Sequence, residues 1–571
     1  MRIPTYKTFL VTALSTLSFA AILFTSIKVQ ADDSKLWVPQ DKWFYCSERL
    51  GTDESADKVI ELIERASSVR LNGILWALRW DSCANWTDEV KSRFAKIKKV
   101  ADAKKIEVIP IMWSIGYGTM LGIDENLAEG VPIKDLPMVA RDGKIAFEPE
   151  PVDFPYGSMD EWKGNLLAGV QFQDGCDQYS FRDDKVAHTG TSSLRFSKVE
   201  QNEHGHGRIM YQIDLKPGTL YRAKIWIKAK DMRGNIGLQI YDANGNSVSN
   251  GRCRAELVDG KLTTDWAPMT ALFRAPADGK TRIYAGVWDG SEGTFWLDDL
   301  SIEPIGLVNP LQRPGTPIVV KNADGTRIYT LGKDYESPKF RLQAWDQDAK
   351  SQELAIPSGS AIKDGDKVLV DFYYPPLVGA PQIGTCMSEP KVYELFDQSA
   401  KEIVALFKPK KLFLSMDEIR CAGTCKACKD RGISLAEILG DCITKQYEIC
   451  KKYAPNAEVY IWSDMLDPNH NAHANYYACD GDYTGVWDLV PKDLVIACWW
   501  HEKREVSMKF FSERGFRTLG AAYYDTNDLQ TCKDWLECCS HTKNCVGIMY
   551  TTWQSKYDLL EGFGKLLPDK K

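Results

Sequence analysis

Hydrophobic and polar positions follow two different patterns along this chain. Near the N-terminus, and again over the C-terminal third, short apolar runs of strand length alternate with longer stretches of helical spacing. Strand, helix and strand in this order are typical of right-handed parallel βαβ units. The predicted strands are residues 43–46, 72–78, 107–112, 411–415, 458–462, 494–498, 517–523 and 546–550. Eight such strands predict an α/β fold, a (β/α)8 TIM barrel in two parts, residues 32–130 and 366–571.

Between these two parts the pattern changes to a period of two. Residues 221–229 alternate polar and apolar side chains, and residues 293–302 end the region with a further strand pattern. We therefore expect residues 160–305 to form an all-β jelly-roll sandwich, inserted so that it interrupts the barrel. Residues 306–365 are rich in Pro, Gly and Asp, which predicts a linker or extension with a hairpin or two.

The first 31 residues have the pattern of a secretory signal peptide. Arg2 and Lys7 form a positive start, residues 9–25 are mostly apolar, and Ala31 ends a cleavage-site pattern. A membrane anchor is the alternative interpretation, but Thr and Ser residues interrupt the apolar stretch. We expect a secreted or periplasmic protein with no stable membrane insertion after cleavage.

Chain length, net charge and the number of aromatic residues indicate the number of domains and the kind of binding partner. The 571 residues exceed what one core usually organises, and the formal net charge is −7. No run of Lys and Arg indicates a nucleic-acid partner. Eighteen Trp and 24 Tyr supply many flat rings, which pack well against sugar faces but also fill domain cores.

The sixteen cysteines fit an exported protein, because disulfides persist in oxidising compartments. Cys421, Cys425 and Cys428 follow one predicted strand with the spacing C-x3-C-x2-C. This spacing predicts a loop tied by a disulfide. A zinc ion held by these three thiols, with Cys442 as a fourth ligand, is the alternative.

Acidic and aromatic residues are concentrated where the predicted barrel strands end, which is where such barrels carry their active sites. In chain order the candidates are Arg49, Asp417, Glu418, Trp462, Asp464, Trp499, Glu502, Tyr523, Asp525 and Trp553. Carboxyl groups among aromatic rings suit glycoside hydrolysis. One carboxyl protonates the leaving oxygen, and another stabilises charge at the anomeric carbon.

Asp417 and Glu418 are the central pair of this set. On a regular strand, adjacent side chains point to opposite faces, so these two share a pocket only if the backbone turns at the strand end. Such a turn suits a substrate-assisted reaction, in which Asp417 holds the substrate's own 2-acetamido group and Glu418 is the acid catalyst. The structural alternative is that an Asp-Glu pair after an apolar run starts a helix.

The order of these residues resembles that of family 20 glycoside hydrolases, the β-N-acetylhexosaminidases. The likeness rests on Arg49, Asp417-Glu418, Trp462-x-Asp464, Tyr523-x-Asp525 and Trp553. It implies that Arg49 binds outer sugar hydroxyls, that Asp417 orients the acetamido group, and that Tyr523 donates a hydrogen bond to its carbonyl oxygen. The implied pocket wall is Trp462, Trp499 and Trp553, and Asp525 is implied to touch a hydroxyl or ring substituent.

Three features depart from that family. Residues 110–114 lack the acidic residue and the His usual near the third strand, and Trp553 is followed by Gln554-Ser555 where an acidic residue is usual. The family's N-terminal α/β domain is missing. A neighbouring family, the family 123 galactosaminidases, also uses paired Asp and Glu.

Residues 165–302 resemble family 4 or 9 carbohydrate-binding jelly rolls. The likeness rests on residues 188–194, 215–221 and 295–300. It implies a structural calcium ion, for which Asp298 and Asp299 are the candidate ligands.

We therefore expect a secreted, exo-acting, retaining β-N-acetylhexosaminidase-like hydrolase that acts on a glycan with a 2-acetamido sugar. No cofactor is required for catalysis, and no metal is assigned to the catalytic site. One alternative is another retaining hydrolase, either galactosaminidase-type or with Asp464, Glu502 or Asp525 as nucleophile. A non-catalytic glycan-binding protein is the other.

Overall fold

The computed structural model describes residues 37–78, 83–118, 124–252, 257–258, 260–339, 342, 346–379 and 382–568. Val38–Lys571 form one unit by their internal contacts. The predicted signal peptide, residues 1–31, lies outside the described residues. Within them, no helix has both the length and the apolar character that a bilayer crossing requires.

The N-terminal part of the unit alternates strands and helices. The elements are β1 Asp41–Cys46, α1 Asp53–Ser68, β2 Gly73–Trp76, α2 Asp88–Lys104 and β3 Glu107–Ser114. Helix α1 begins in a capping box, because Thr52 and Ser55 each accept a hydrogen bond from the other's backbone N–H. Val59, Ile63 and Ala66 then form its buried stripe at helical spacing.

The middle of the chain is built from β-strands. They are β4 Val131–Arg141, β5 Lys144–Ala146, β6 Trp162–Lys163, β7 Leu166–Leu167, β8 Phe172–Gln173, β9 Ser180–Asp183, β10 Ser193–Ser197, β11 Gly207–Asp214, β12 Leu220–Arg233, β13 Ile236–Tyr241, β14 Ser247–Arg252, β15 Leu257–Val258, β16 Lys261–Arg274, β17 Lys280–Val287 and β18 Glu292–Pro304. Two antiparallel sheets, ordered β15-β16-β12-β18-β10-β9 and β14-β13-β17-β11-β8, make up residues 172–304, which we call the two-sheet region. Ile225 and Phe295 from the first sheet and Ile209 and Ile283 from the second share one apolar core. This shared core explains the period-two pattern of the region.

A third antiparallel sheet joins segments from both sides of the two-sheet region. Its later strands are β19 Val319–Asn322, β20 Leu354–Ala355 and β21 Lys367–Tyr374. The sheet order is β19-β21-β4-β5-β20, and Ile133 and Val370 are buried in its core. Residues 306–365, predicted as a linker or extension, thus contribute two strands to this third sheet.

The C-terminal part returns to alternating strands and helices. The elements are α3 Pro390–Phe407, β22 Lys411–Ser415, α4 Lys426–Lys429, α5 Leu435–Tyr453, β23 Glu458–Trp462, β24 Val495–Cys498, α6 Arg504–Glu513, β25 Arg517–Ala521, α7 Gln530–His541, β26 Cys545–Tyr550 and α8 Leu560–Leu566. Strands β1, β2, β3 and β22 to β26 close a barrel in that order, and all neighbouring pairs are parallel. The predicted closed barrel of eight parallel strands is confirmed.

One barrel connection departs from the predicted alternation. Residues 463–494, which the structure describes throughout, contain 3₁₀ turns and no α-helix. Pro468, Gly481 and Gly485 interrupt this segment, and its apolar residues lack helical spacing. The resulting long loop carries Asp464 and Asn471 to the C-terminal end of the barrel.

Side chains fill the interior of the barrel. The rings of Trp43 and Tyr460 lie 4.7 Å apart, and the Tyr460 hydroxyl bonds to Asp41, which also pairs with Lys411 at 3.3 Å. Asp41 and Lys411 are the first residues of their strands, so this polar group closes the N-terminal end. The opposite end is left for the candidate site.

Candidate active site

The backbone turns just after β22. Glu418 has φ of 47°, in the left-handed region, so Asp417 and Glu418 do not follow strand alternation. Ser415 donates a hydrogen bond to Asp417 Oδ1 at 2.8 Å. The loop after β3 packs so closely on this turn that a Cβ at Gly116 would lie 2.1 Å from the Asp417 carbonyl oxygen. Gly116 is therefore required by the close approach.

Two side chains hold the Glu418 carboxylate. Tyr117, in the loop after β3, donates its hydroxyl to one oxygen, and Arg420 donates to the other at 3.3 Å. Arg420 is buried, donates to the Val378 carbonyl oxygen at 2.8 Å, and lies over the Tyr477 ring at 4.5 Å. A fixed cation thus orients Glu418.

A third carboxyl group, that of Asp464, is buried beside the pair. It accepts hydrogen bonds from the Glu418 backbone N–H at 2.9 Å, from the Asn471 amide at 2.9 Å and from the Trp499 indole at 3.3 Å. Burial raises the pKa of Asp464, and the charge of Asp417 raises it further. Burial, with the charge of Glu418 adding to it, also raises the pKa of Asp417. These aspartates therefore hold a proton to higher pH than exposed ones do.

Aromatic rings from several strand ends gather beside these acids. Trp553 lies 5.7 Å from Trp462 and 6.4 Å from Trp499 between ring centroids. Tyr524 stacks nearly parallel to Trp499 at 6.4 Å, and Tyr45 packs edge-on against Trp553 at 5.2 Å. The three tryptophans predicted to form a wall are thus neighbours in one aromatic group.

A pocket of about 280 Å³ opens beside Tyr45, Trp462 and Trp553 of this group, whereas Trp499 and Tyr524 do not line it. Its lining residues are Tyr45, Ala77, Leu78, Ile111, Met112, Trp113, Ser114, Tyr117, Ser415, Asp417, Trp462 and Trp553. Asp417 thus lies in the pocket wall, and Tyr117 links that wall to Glu418. The volume lies just below the usual range of about 300–1,000 Å³ for ligand pockets.

Tyr523 is turned away from this pocket. Its buried ring stacks on Tyr550 at 4.3 Å, and its hydroxyl donates to the Thr526 carbonyl oxygen at 2.6 Å. The family motif selected Tyr523, but β25 ends at Ala521 and the chain turns before the motif is complete. The adjacent Tyr524, 45% exposed, joins the aromatic group instead.

Neither Asp525 nor Arg49 lines the pocket. Asp525 accepts hydrogen bonds from the backbone N–H groups of Trp553 at 2.8 Å and Gln554 at 3.4 Å, and from the Thr552 hydroxyl. Its carboxylate therefore positions the backbone that carries Trp553. Arg49 is exposed just after β1.

Tyr117, Arg420 and Tyr524 belong to the site but were not among the predicted residues. Each follows a barrel strand within a few residues, so the rule that selected the other candidates applies to them as well. The family motif passed over them because it contains no counterpart of Tyr117 or Arg420 and selects the tyrosine next to Tyr524.

The segment C-x3-C-x2-C is not tied by a disulfide, because Cys421, Cys425 and Cys428 are all free thiols. Cys421 contacts a backbone carbonyl oxygen of another loop at 3.7 Å, and Cys442 contacts a glutamine of its own helix at 3.6 Å. Cys425 and Cys428 instead approach Cys386. The neighbours of Cys425 and Cys428 are therefore residues distant in sequence, and neither Cys421 nor Cys442 belongs to this group.

Asp298 and Asp299, the candidate calcium ligands, are engaged by donors of the protein itself. Asp298 accepts from the His188 backbone N–H at 2.7 Å, and Asp299 accepts from the Thr189 hydroxyl at 2.8 Å and contacts His188 Nδ1 at 2.6 Å. Burial raises the pKa of Asp298 to about 7. Calcium takes about six to eight oxygen ligands, whereas these carboxylates meet N–H and O–H donors.

No protein-family model and no curated protein matches this chain. Among solved structures, a CBM4 structure is 22% identical over 26% of this chain and 97% of that chain, with a TM-score of 0.19. TmCBM61 in complex with β-1,4-galactotriose is 16% identical over 26% of this chain and 90% of that chain, with a TM-score of 0.18. The β-N-acetylhexosaminidase from Bacteroides fragilis is 12% identical over 34% of this chain and 43% of that chain, with a TM-score of 0.26. TM-scores this low carry no argument, so function is inferred from the geometry of the site alone.

Proposed function

We propose that this protein is a glycoside hydrolase that removes a 2-acetamido sugar from a glycan, with retention of configuration and by substrate-assisted catalysis. The observation that carries the proposal is the turn at Glu418. It sets two adjacent carboxyl groups beside one tryptophan-lined pocket at the C-terminal end of a parallel barrel. Flat rings favour the faces of sugars, and paired carboxyl groups supply acid–base chemistry.

Asp417 orients the acetamido group in this proposal. Its ionised carboxylate accepts the acetamido N–H, so that the carbonyl oxygen faces the anomeric carbon. That oxygen attacks, the glycosidic bond breaks, and a cyclic oxazolinium ion forms. Tyr524, a half-exposed residue whose ring stacks on Trp499 in the aromatic group, donates its hydroxyl to the same carbonyl oxygen in this proposal. It takes the role that the family resemblance implied for Tyr523.

Glu418 acts first as general acid and then as general base. It gives its proton to the leaving oxygen as the glycosidic bond breaks, and it takes a proton from the water that then opens the oxazolinium ion. Attack twice on the anomeric carbon retains its configuration. Tyr117 and Arg420 hold the carboxyl group in place through both steps.

A proton is available in this group of acids near neutral pH. Asp417, Glu418 and Asp464 interact with one another, and among the described cations only Arg420 forms an ion pair with them. Burial and the charge of a neighbouring carboxylate together raise the pKa of Asp417 and that of Asp464. This proton supply supports acid catalysis at the pair.

The candidate protein nucleophiles are poorly placed for attack. Asp464 is fully buried with both oxygens hydrogen-bonded, and Asp525 holds the chain at Trp553. Glu502 is exposed in a 3₁₀ turn. The engagement of Asp464 and Asp525 favours a nucleophile that the substrate itself supplies.

The proposal includes export and a modular organisation. The pattern of residues 1–31 supports a cleaved signal peptide, and the shared core of the two-sheet region supports an inserted sandwich over residues 160–305. N-terminal sequencing of the protein recovered from a secreting host tests the cleavage. An intact N-terminus with the protein in the cytoplasm would contradict it.

The decisive experiment compares aryl N-acetylglucosaminides and N-acetylgalactosaminides with the matching aryl glycosides that carry a 2-hydroxyl. We expect hydrolysis of the 2-acetamido substrates only, and competitive inhibition by a thiazoline that mimics the cyclic intermediate. Equal hydrolysis of the 2-acetamido and 2-hydroxyl substrates would contradict an acetamido nucleophile and indicate a protein carboxylate in that role. Sugar binding without any hydrolysis would contradict the hydrolase proposal and indicate a glycan-binding protein.

A further inference from the structure

Three thiols and one carboxylate converge in the interior of the protein. They belong to Glu129, Cys386, Cys425 and Cys428, all buried, and one ligand atom from each lies within 4.8 Å of the others. Cys386 Sγ is 3.5 Å from Cys425 Sγ and 3.8 Å from Cys428 Sγ. Cys428 Sγ is 3.6 Å from Glu129 Oε2. None of the four lines the candidate pocket.

These spacings are those of ligands around a tetrahedral zinc ion. Zinc binds thiolate sulfur at about 2.3 Å and carboxylate oxygen at about 2.0 Å. At tetrahedral angles, two sulfurs then lie about 3.8 Å apart, and a sulfur and an oxygen about 3.5 Å apart. The two sulfur–sulfur distances from Cys386 and the sulfur–oxygen distance between Cys428 and Glu129 fall within about 0.3 Å of these values.

Hydrogen bonds fix Glu129 so that one oxygen points at the thiols. Oε1 accepts from the backbone N–H of Cys425 at 2.8 Å and from the backbone N–H and hydroxyl of Thr424, both at 3.1 Å. Oε2 faces Cys428. Metal-binding carboxylates are commonly oriented by such partners on the oxygen that does not bind the metal.

Arg313 completes the surroundings of the cluster. Its buried guanidinium donates to the Ala128 carbonyl oxygen at 2.8 Å and toward Cys425 Sγ at 3.8 Å. An N–H donor next to a thiolate stabilises its negative charge. The position of Arg313 therefore favours a deprotonated, metal-binding sulfur.

We propose that Glu129, Cys386, Cys425 and Cys428 bind one structural zinc ion. Four protein ligands close the tetrahedron and leave no position for substrate, which is the pattern of structural and not catalytic zinc. Thiolates and a carboxylate suit zinc better than calcium or magnesium, which prefer oxygen alone. Two of these ligands, Cys425 and Cys428, belong to the C-x3-C-x2-C segment. The other two are Cys386 and Glu129, and not Cys421 and Cys442 as in the alternative considered from the sequence.

The zinc ion joins three segments that are distant in sequence. Glu129 precedes the long middle part of the chain that starts at β4, and Cys386 follows its end after β21. Cys425 and Cys428 lie in the connection after β22, which begins with Asp417 and Glu418. The ion therefore connects both ends of that middle part, at Glu129 and Cys386, to the loop that carries the proposed catalytic pair.

Metal analysis of the full chain, purified without chelators after growth with zinc, tests the site. We expect one zinc per chain in the wild type. Cys425→Ser and Cys428→Ser should lower the zinc content roughly tenfold or more. The matched control is Cys442→Ser, also a buried cysteine but outside the cluster, which should keep the zinc. Glu418→Gln should keep it as well, so failure of the hydrolase proposal and failure of the zinc proposal are distinguishable.

Two further measurements keep the test decisive if the cysteine variants fail to fold. Cobalt loaded in place of zinc should show thiolate-to-metal charge-transfer absorption, and a strong chelator should remove the metal from the wild type and lower its melting temperature. A wild type without bound zinc, or a peptide map with a Cys386–Cys425 disulfide, would overturn the proposal.

Discussion

In two pairs of adjacent acids, the second residue has a positive φ of nearly the same value. Glu418, at the end of β22, has φ of 47°, and Asp299, within β18, has φ of 48°. In both pairs the left-handed second residue breaks strand alternation, so the two carboxyl groups no longer point to opposite faces. The pairs Asp417-Glu418 and Asp298-Asp299 differ in the hydrogen-bond donors that surround them and in their access to a pocket.

The protein's own donors occupy the pair in the two-sheet region. Backbone and side-chain groups of His188 and Thr189 bind Asp298 and Asp299. At the barrel, Asp417 receives a side-chain hydrogen bond from Ser415 and faces an open pocket. An acidic pair is thus available for chemistry only where the fold leaves one of its members open to a ligand.

The largest expected effect separates the two pairs by activity. Asp417→Asn should lower kcat by roughly 10²- to 10⁴-fold, because the amide cannot accept and position the acetamido N–H as a carboxylate does. Asp299→Asn should leave kcat unchanged and lower the free energy of unfolding by about 1 kcal/mol. Aryl N-acetylhexosaminide kinetics and urea unfolding measure both. Equal losses of kcat would remove the distinction between the pairs.

A second test compares neighbouring tyrosines. Tyr524→Phe should lower kcat by roughly 10²-fold, because a hydroxyl directed at the acetamido oxygen is lost. Tyr523→Phe should keep kcat and lower stability by about 1 kcal/mol, since its hydroxyl bonds to Thr526. If kcat falls in Tyr523→Phe and not in Tyr524→Phe, then Tyr523 is the residue that donates to the acetamido carbonyl oxygen.

A third test concerns the backbone contact that supports the barrel pair. Gly116→Ala should lower the free energy of unfolding by about 1–3 kcal/mol and reduce activity, because its Cβ would meet the Asp417 carbonyl oxygen. Gly51→Ala is the matched control, since no atom lies within 4 Å of a Cβ there. Thermal unfolding of both variants measures the difference, and equal stability would show that the two loops separate easily.

A fourth test concerns a pH dependence of stability that both regions share. Burial raises the pKa of Asp298 to about 7, and it also raises that of Asp464. The folded protein therefore binds these protons more tightly than the unfolded chain does. Stability is full below the ordinary Asp pKa of about 3.9 and is lost as pH rises through the raised pKa, by up to about 1.4 kcal/mol per pH unit per group.

Asp298→Asn and Asp464→Asn should each flatten this slope. Chemical unfolding at several pH values between about 4 and 7 measures it. An unchanged slope in a variant would mean that the carboxyl group concerned is ionised throughout that range.

Local sequence was enough for the strands and for the central acids. Residues 411–415 and 458–462 were predicted with the bounds that β22 and β23 have, because apolar runs between turn residues encode strands locally. Eight strand patterns were also enough to predict the closed barrel. Asp417 and Glu418 follow one of these strands, which places them at the C-terminal end of the barrel.

Tertiary structure alone decided which side chains meet. Tyr524 lies in the aromatic group and Tyr523 does not, because β25 ends at Ala521 and the direction of a side chain after a strand end depends on turn dihedrals that composition does not specify. Glu129 and Cys386 joined Cys425 and Cys428 although 296 and 39 residues separate them from Cys425. Such convergence is set by how sheets and loops pack, which no pattern of neighbouring residues contains.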